Sequence, residues 1–408
     1  MRRNAAPKPA IEPERVAAVM LSWHSLEVVS LNKVQTLWAG YGDIYELIAR
    51  DQDETRAELY PLILKYIAPP QAHLDSMDEG HLRKLMSYEV EQYFYSSVAP
   101  LLEDETPVAD CVATTREASG KPGAELLGGI TATIISDLRP LFPIAGEKRS
   151  ELNVKQVFAA LDWLSSFHRT TRKLVPDTLE EFLLPPLKEA ERRTRGTSPG
   201  KTLWLNGGYT YLATRRKEYA SLAEGDSEWS SLLTKPTTPG GQSISELVAN
   251  FLTPRGREYE TLIHGDVKSE NLFTTVSGDK VAFYDFQYVG LGLGACDLAK
   301  LFTCSVPLRL LMDGGYIPNE LLMGEGEKEL LKYYHSRLVS DFKDSRGRTQ
   351  IYEWDVFVRH WETALVDWLR FQASWGFWGN TKWLKARVRS ILRDQQWKDW
   401  LQENQRST

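Results

Sequence analysis

The chain has 408 residues, 42% apolar and 25% charged, with a formal net charge of −6. That is enough apolar content for two cores and too little positive charge for a general nucleic-acid binder. Three cysteines, Cys111, Cys296 and Cys304, lack metal-ligand spacing and cannot build a disulfide framework, and no run is apolar enough for a secretory signal or membrane span. The chain therefore reads as cytoplasmic, with neither nucleic acid nor membrane as a partner and an oligomeric state that stays open.

Residues 1–19 are polar and carry Pro7, Pro9 and Pro13, so a flexible tail is expected there. Leu26 to Trp38 and Ile44 to Ala49 are β-rich runs around Gly40-Tyr41-Gly42. Glycines at 40 and 42 would allow a tight turn close to phosphates, although two glycines between strands are more often an ordinary hairpin and the pattern is short of a full GxGxxG loop. Leu62 to Ile67 is an apolar strand containing one lysine, Lys65, and ended by Pro69-Pro70. A lysine in a buried strand needs an anionic partner; on an edge strand it would face water instead. His81 to Val98 reads as a helix with Glu89 and Glu91 among apolar residues. Glu91 is the expected partner of Lys65, with Glu89 in reserve, because the two lie on different helical faces.

From residue 139 onward the pattern is mainly helical. Val154 to Arg172 is amphipathic, with Val157, Leu161, Leu164 and Phe167 in one stripe and His168 beside it as an expected core histidine. Two polar stretches, 188–202 and 224–242, read as loops; the first carries Arg192, Arg193 and Arg195 and reads as a surface insertion or a lid.

The segment Leu262-Ile263-His264-Gly265-Asp266-Val267-Lys268-Ser269-Glu270-Asn271, followed fourteen residues after its Asn by Asp285-Phe286-Gln287, carries the chemistry. Moving a phosphoryl group to a hydroxyl needs an acceptor for the alcohol proton and hard oxygen ligands for a magnesium ion. Asp266 has the spacing of the first, Asn271 and Asp285 that of the second, and Lys268 could hold the transferring phosphate. Apolar runs on both sides of Ser277-Gly278-Asp279 predict a hairpin that brings Asn271 and Asp285 together. Asp297 opens a helix and is read as its N-cap or as a group that orients the loop.

Eight of the thirteen tryptophans fall between residues 354 and 400. Trp354, Trp361, Trp368 and Trp375 recur every seven residues, which sets them near one face of a helix. Such a stripe is core, or else Trp361, Trp368 and Trp375 form an aromatic wall, with Glu362 and Asp367 placed to bind an amine.

The HGDxxxxN motif at 264–271, the DFQ triplet at 285–287, the strand lysine and the Glu91-x-x-x-Tyr95 helix together resemble the aminoglycoside phosphotransferase and choline kinase superfamily. More closely they resemble its CHK-kinase-like branch of ecdysteroid-kinase relatives, from about residue 25 to at least residue 305. The resemblance implies an α+β, protein-kinase-like bilobal fold. Its N-terminal nucleotide-binding lobe, 20–138, would hold one helix and a five-stranded antiparallel sheet completed by Val108 to Ala113 and Ile130 to Leu138. Its mainly helical lobe, 139–408, would hold the catalytic and acceptor-binding parts. It implies ATP and Mg2+ as cofactors, Asp266 as base, Asn271 and Asp285 as metal ligands, Lys65 at the phosphates, and Ile135 and Asp137 on the adenine-binding connection. Ser136-Asp137-Leu138 stands where many relatives carry Glu-Asp-Leu. Gly265 replaces the Arg of HRD, Gln287 replaces the Gly of DFG, and no Ala-Pro-Glu follows. The expectation is an O-phosphotransferase for a small hydroxylated metabolite; a protein kinase and a non-catalytic nucleotide-binding scaffold are the alternatives.

Overall fold

A computed structural model of the chain describes residues 11–53, 55, 58–70, 78–176, 178–196, 200–340 and 351–406. The chain divides into two compact units, Met1–Leu101 with Ala109–Asp137, and Leu102–Val108 with Leu138–Thr408.

The first unit opens with α1 (Pro13–Ser22), where proline fits the first turn because its missing N–H would have had no helical partner. Val16, Ala17, Met20 and Leu21 recur on one face of α1 and are fully buried. Residues 13–19 thus form part of a helix with one buried face rather than a tail, which corrects the reading of 1–19; residues 1–10 lie outside the described residues. Five strands follow, β1 (Leu26–Thr36), β2 (Gly42–Asp51), β3 (Leu59–Ile67), β4 (Cys111–Thr114) and β5 (Thr131–Ser136), and they pair antiparallel in the order β1-β2-β3-β5-β4. Period-two alternation along the central strand β3 divides its side chains. Leu62, Leu64 and Tyr66 join the core that holds α1, while Ile67, two residues beyond Lys65, packs with Tyr88 of α2 (Glu79–Tyr93). The Asp78 side chain caps α2 by accepting from the backbone N–H groups of Gly80 and His81. Two helices, α1 and α2, therefore accompany the sheet where one was expected.

The second unit is mainly helical. A short strand β6 (Ile144–Ala145) precedes α3 (Val154–Arg172), which begins in a capping box: Gln156 N donates to Asn153 Oδ1 at 3.0 Å and Asn153 N to Gln156 Oε1 at 2.9 Å. The stretches read as loops contain helices. They hold α4 (Pro186–Thr194) and α6 (Glu228–Thr234), with α5 (Arg216–Glu224) between them and α7 (Ile244–Leu252) after. The mostly polar α4 is held by buried Glu189, whose carboxylate takes Arg192, Arg193 and the N–H of Gly200. Polarity alone hid that helix.

Four short strands then build the scaffold of the site: β7 (Glu260–Ile263), β8 (Leu272–Thr274), β9 (Val281–Phe283) and β10 (Gly290–Leu293). β7 pairs with β10, and β6, β8 and β9 form a three-stranded sheet. The remainder is α8 (Gly294–Cys304), α9 (Glu325–Val339), α10 (Trp354–Trp375), α11 (Thr381–Arg393) and α12 (Gln395–Arg406). The buried stripe predicted on α3, Val157, Leu161, Leu164 and Phe167, is fully enclosed. Among the described residues no helix is long and apolar enough to cross a membrane.

Candidate active site

The chain leaves β7 at His264 and turns at Gly265, whose φ is +83°. A Cβ there would lie 2.4 Å from the carbonyl oxygen of Tyr288 and 2.6 Å from the backbone nitrogen of Gly208, so only glycine fits. The turn is clamped from one face of α8. Asp297 accepts from the N–H of His264 at 2.7 Å and from that of Gly265 at 2.9 Å, and Lys300, three residues along the same helix, donates to the Gly265 carbonyl. Asp297 lies inside α8, not at its cap, so of the two roles open to it the geometry is that of an orienting group.

A buried polar relay stands behind Asp297. His168 Nε2–H donates to its carboxylate at 3.2 Å, and His168 Nδ1 lies 2.7 Å from the hydroxyl of Tyr334. Burial pushes the Tyr334 phenol far above its ordinary range, reinforced by the charge of Asp297, so it keeps its proton and donates. Burial pulls the Asp297 carboxyl upward too, but the hydrogen bond from His168 and the nearby charge of Lys300 outweigh it and hold the group below its usual range.

His264 is a strut rather than an acid or base. Its buried ring donates from Nε2 to the carbonyl of Tyr284 at 3.0 Å and accepts at Nδ1 from the N–H of Asp266 at 3.2 Å. Burial lowers its pKa, which agrees with the neutral form that this pair of bonds demands.

Asp266 follows at the end of the clamp. Asn271 Nδ2 donates to the Asp266 carbonyl at 2.8 Å and to its Oδ2 at 3.0 Å. Both partners only accept, so the amide orientation is fixed, and Asn271 Oδ1 remains as the oxygen a cation could take. Lys268 Nζ lies 3.1 Å from Asp266 Oδ2 and 2.9 Å from Glu270 Oε1. Burial pulls this ammonium's pKa down, yet Asp266 and Glu270 together raise it, so it stays charged.

The predicted hairpin is present: Leu272 pairs with Phe283 and Thr274 with Val281. The ladder continues one step, with Tyr284 N donating to the Asn271 carbonyl at 3.0 Å. Asp285, next in the chain, takes a left-handed conformation at φ +65°. Local pairing thus brings Asn271 and Asp285 together across fourteen residues. Among the described residues no three His, Cys, Asp or Glu side chains form a metal cage. A carboxylate and an amide oxygen fit magnesium, which keeps several waters and shares substrate phosphates rather than filling an all-protein cage.

A cavity of about 360 Å³ opens beside Asp266, within the usual range for small-molecule sites. Asp266, Lys268 and Glu270 line it, as do Trp368, Trp375 and Trp378. Half-buried Tyr209, whose phenol desolvation pushes well up in pKa, closes part of the wall, as does Cys304, whose thiol burial pushes to about 12.

In the first unit, Lys65 Nζ lies 2.6 Å from Glu91 Oε2, with the side chains 14% and 6% exposed. The anion that a lysine on a central strand needs is therefore Glu91. Gly42, at φ +145°, sits where a Cβ would be 2.1 Å from the Tyr66 carbonyl oxygen. Close β2–β3 pairing demands that glycine whatever binds above it. Gly40 has φ +71° and open space around it. Ile135 pairs with Ile63 and Cys111, and Asp137 N donates to the Pro61 carbonyl at 3.1 Å.

Residues 47–346 match the model of the ecdysteroid kinase-like family. The chain belongs to that family. Comparison with curated protein sequences finds no significant match. Among solved structures this ecdysteroid kinase-like protein is similar to choline kinase from Cryptosporidium parvum, at 13% identity over 92% of this chain and 89% of that one, with a TM-score of 0.42. It is similar also to Plasmodium vivax ethanolamine kinase, at 14% identity over 90% and 82% of the two chains, with a TM-score of 0.37. The amicoumacin kinase hAmiN, in complex with AMP-PNP, Ca2+ and Ami, gives 14% identity over 97% and 93%, with a TM-score of 0.39.

The tryptophan helix of the ecdysteroid kinase-like chain divides along its length. Trp361 is fully buried and donates from Nε1 to Glu327 at 2.8 Å, so it is core and not a substrate residue. Glu362 is held by Arg359 at 2.9 Å and is not among the residues lining the cavity, which removes it as an amine site. Trp368 and Trp375 do line the cavity, the first buried and the second 57% exposed. A heptad repeat drifts by about 20° per repeat on a straight helix and advances roughly 10 Å along it, so one stripe serves core and wall in turn. Tyr209 and Lys300 were missed in sequence. The Asp-x-x-Lys spacing at 297 and 300 was the available signal for Lys300; Tyr209 had none.

Proposed function

We propose that this protein is an ATP- and magnesium-dependent O-phosphotransferase acting on a hydroxyl of a small molecule. The observation that carries the reading is Asp266, held by Asn271 and Lys268 and opening onto a cavity sized for a small molecule. In this reading the acceptor hydroxyl gives its proton to Asp266 as its oxygen bonds to the γ-phosphorus and the bond from phosphorus to the ADP oxygen breaks. Asn271 Oδ1 and the Asp285 carboxylate hold magnesium, which would neutralise phosphate charge. Lys268 stays cationic beside the acceptor oxygen and steadies the transferring group. Lys65, set by Glu91, takes the nucleotide phosphates in the sheet unit, under the turn at Gly40 and Gly42, with Ile135 and Asp137 on the adenine strand. Family membership agrees with this reading.

The test is magnesium-dependent ADP release from ATP across pooled hydroxylated metabolites, with Asp266→Ala as control. Release stimulated by one pool, reduced at least ~1000-fold in the variant while nucleotide binding persists, is the expected outcome, since a positioned base and its contacts account for factors of about 10²–10⁴. Normal turnover in the variant would exclude Asp266 as the base.

A further inference from the structure

We infer that the cavity beside Asp266 selects a hydroxylated ring compound that also carries an anionic group, a carboxylate or a sulfate. The inference rests on the phosphotransferase reading for which hydroxyl is modified, but not for what binds. Its first support is the balance of charge around the cavity. Lys148, Arg149, Lys268 and Lys300 line it against two carboxylates, Asp266 and Glu270. Both carboxylates are already engaged by Lys268. The remaining three cations have no carboxylate among the lining residues to answer them; Lys300 alone is near one behind the lining, Asp297, while Lys148 and Arg149 have none there either among the described residues.

Lys300 gives the surplus a fixed position. It is buried, with one proton of its ammonium committed to the Gly265 carbonyl, and its Nζ lies 5.9 Å from the centre of the Trp368 ring. A cation fixed there makes that ring a poor seat for a second cation and a good neighbour for an anion. The same holds at the outer end, where the Arg215 guanidinium lies 5.0 Å from the Trp375 ring centre. Asp367, the acid that could have received an amine, is taken by Arg370 at 2.8 Å. An aromatic wall can bind quaternary ammonium groups or flat rings. Here the cations are already present in the protein, which leaves the wall for a ring.

The experiment is calorimetric titration of the full chain with 6-(hydroxymethyl)-2-naphthoate, its 2-carboxamide and the matching 2-aminomethyl compound, each with and without AMP-PNP and magnesium. Mg-ATP turnover of the three is measured separately. The naphthoate is expected to bind about tenfold more tightly than the amide, the value of one charge-assisted contact, with the amine weakest. Lys300→Met should erase most of that preference. Because Lys300 also holds the Gly265 turn, the exposed pair Lys148→Ala with Arg149→Ala provides a second variant, expected to reduce the preference and its salt dependence without disturbing the fold. Equal or tighter binding of the amine, or no binding of the naphthoate, overturns the inference. So does loss of the preference once AMP-PNP and magnesium are present, because the cations then serve the nucleotide. Preferential binding of the naphthoate without turnover of any probe counts against the phosphotransferase reading and leaves the anion preference standing. Turnover of the amine ahead of the naphthoate does the reverse.

Discussion

Two groups of side chains line the cavity and are built from different materials. Around Asp266, the N–H groups of His264 and Gly265 and the Gly265 carbonyl are tied by buried side chains of α8, with His168 and Tyr334 behind them. The aromatic wall is joined by ring contacts, Trp368 with Trp378 at 5.5 Å and Trp375 through Phe371 at 6.2 Å, and it runs out into solvent at Trp375. Directional bonds in a low-dielectric interior fix an atom's place, whereas ring packing tolerates changes of shape and volume. In the proposed reading the contrast separates the chemistry from the choice of acceptor, with Lys300, which holds the Gly265 carbonyl and lies 5.9 Å from the Trp368 ring centre, as the link between the two groups.

The strongest way to break this contrast is to cut the clamp. Asp297→Asn keeps the volume but replaces a double acceptor with a group that has one oxygen and two donors, facing N–H groups that need acceptors. Asp266 would shift, and a displacement of about 1 Å costs on the order of 100-fold in rate. Turnover should therefore fall at least ~100-fold for all acceptors alike, with a loss of roughly 3–5 kcal/mol in stability from the broken buried network. Kinetics with two unrelated acceptors, plus a urea melt, check this. A fall confined to one acceptor would mean that Asp297 acts through the pocket and not through the loop.

Within α10 the same division can be cut by position. Trp361 is enclosed and bonded to Glu327, itself gripped by Arg387 at 2.9 Å. Trp361→Ala should cost about 3–5 kcal/mol of stability, as large-to-small core changes do, and should also leave Glu327 short of a donor. A denaturant midpoint unchanged from that of the parent chain would show that the middle of this helix is not core.

Legibility in the sequence follows the range of the contacts involved. The motif at 264–271 and the hairpin to Asp285 were readable because a ladder of a few residues fixes them, and the apolar run around Lys65 called for an anionic partner that the next helix could supply. Helix α1 was hidden by prolines at 7, 9 and 13, although Pro13 starts the helix and the Val16, Ala17, Met20 spacing marks its face. Asp297 was legible as an orienting group and its spacing to Lys300 was a signal, but the clamp of both on Gly265 depends on how α8 docks against β7, which local pattern does not encode. The tryptophan heptad specified a face of α10, but what the face meets changes along the helix from Glu327 to the cavity. Periodicity carries no information about that change.

A third prediction sharpens the comparison through pH. His360 lies in the buried stretch of α10, its Nδ1 bonded to the Tyr352 hydroxyl, and burial followed by the Arg257 charge pushes its pKa down to about 3. An unfolded histidine titrates near 6.5. Below that value the unfolded chain takes a proton that the folded chain refuses, so stability falls with pH from about 6.5 toward about 3. At ~1.4 kcal/mol per unit, the loss between pH 6.5 and pH 5 is roughly 2 kcal/mol. Urea midpoints at the two pH values should show this slope in the parent chain and a flatter one in His360→Gln. Equal slopes would place the histidine in contact with water.

The smallest expected effect tests the pliant wall itself. Trp375 is the last residue of α10, 57% exposed, stacked on Phe371 at 6.2 Å and faced by Arg215. Truncation there removes ring surface that is already half in water, so Trp375→Ala should change stability by no more than about 0.5 kcal/mol. What it removes from the acceptor is one stacking face, worth about 1 kcal/mol. KM should rise roughly fivefold for a flat acceptor and stay level for an acceptor without rings, while kcat holds for both, because the ring contacts of Trp375 are with Phe371 and Arg215 and not with Asp266 or its clamp. A fall in kcat with KM unchanged would join the two walls into one device and remove the separation of chemistry from choice. A rise in KM for the flat acceptor alone would locate selectivity at the exposed end of α10, where the helix leaves the core.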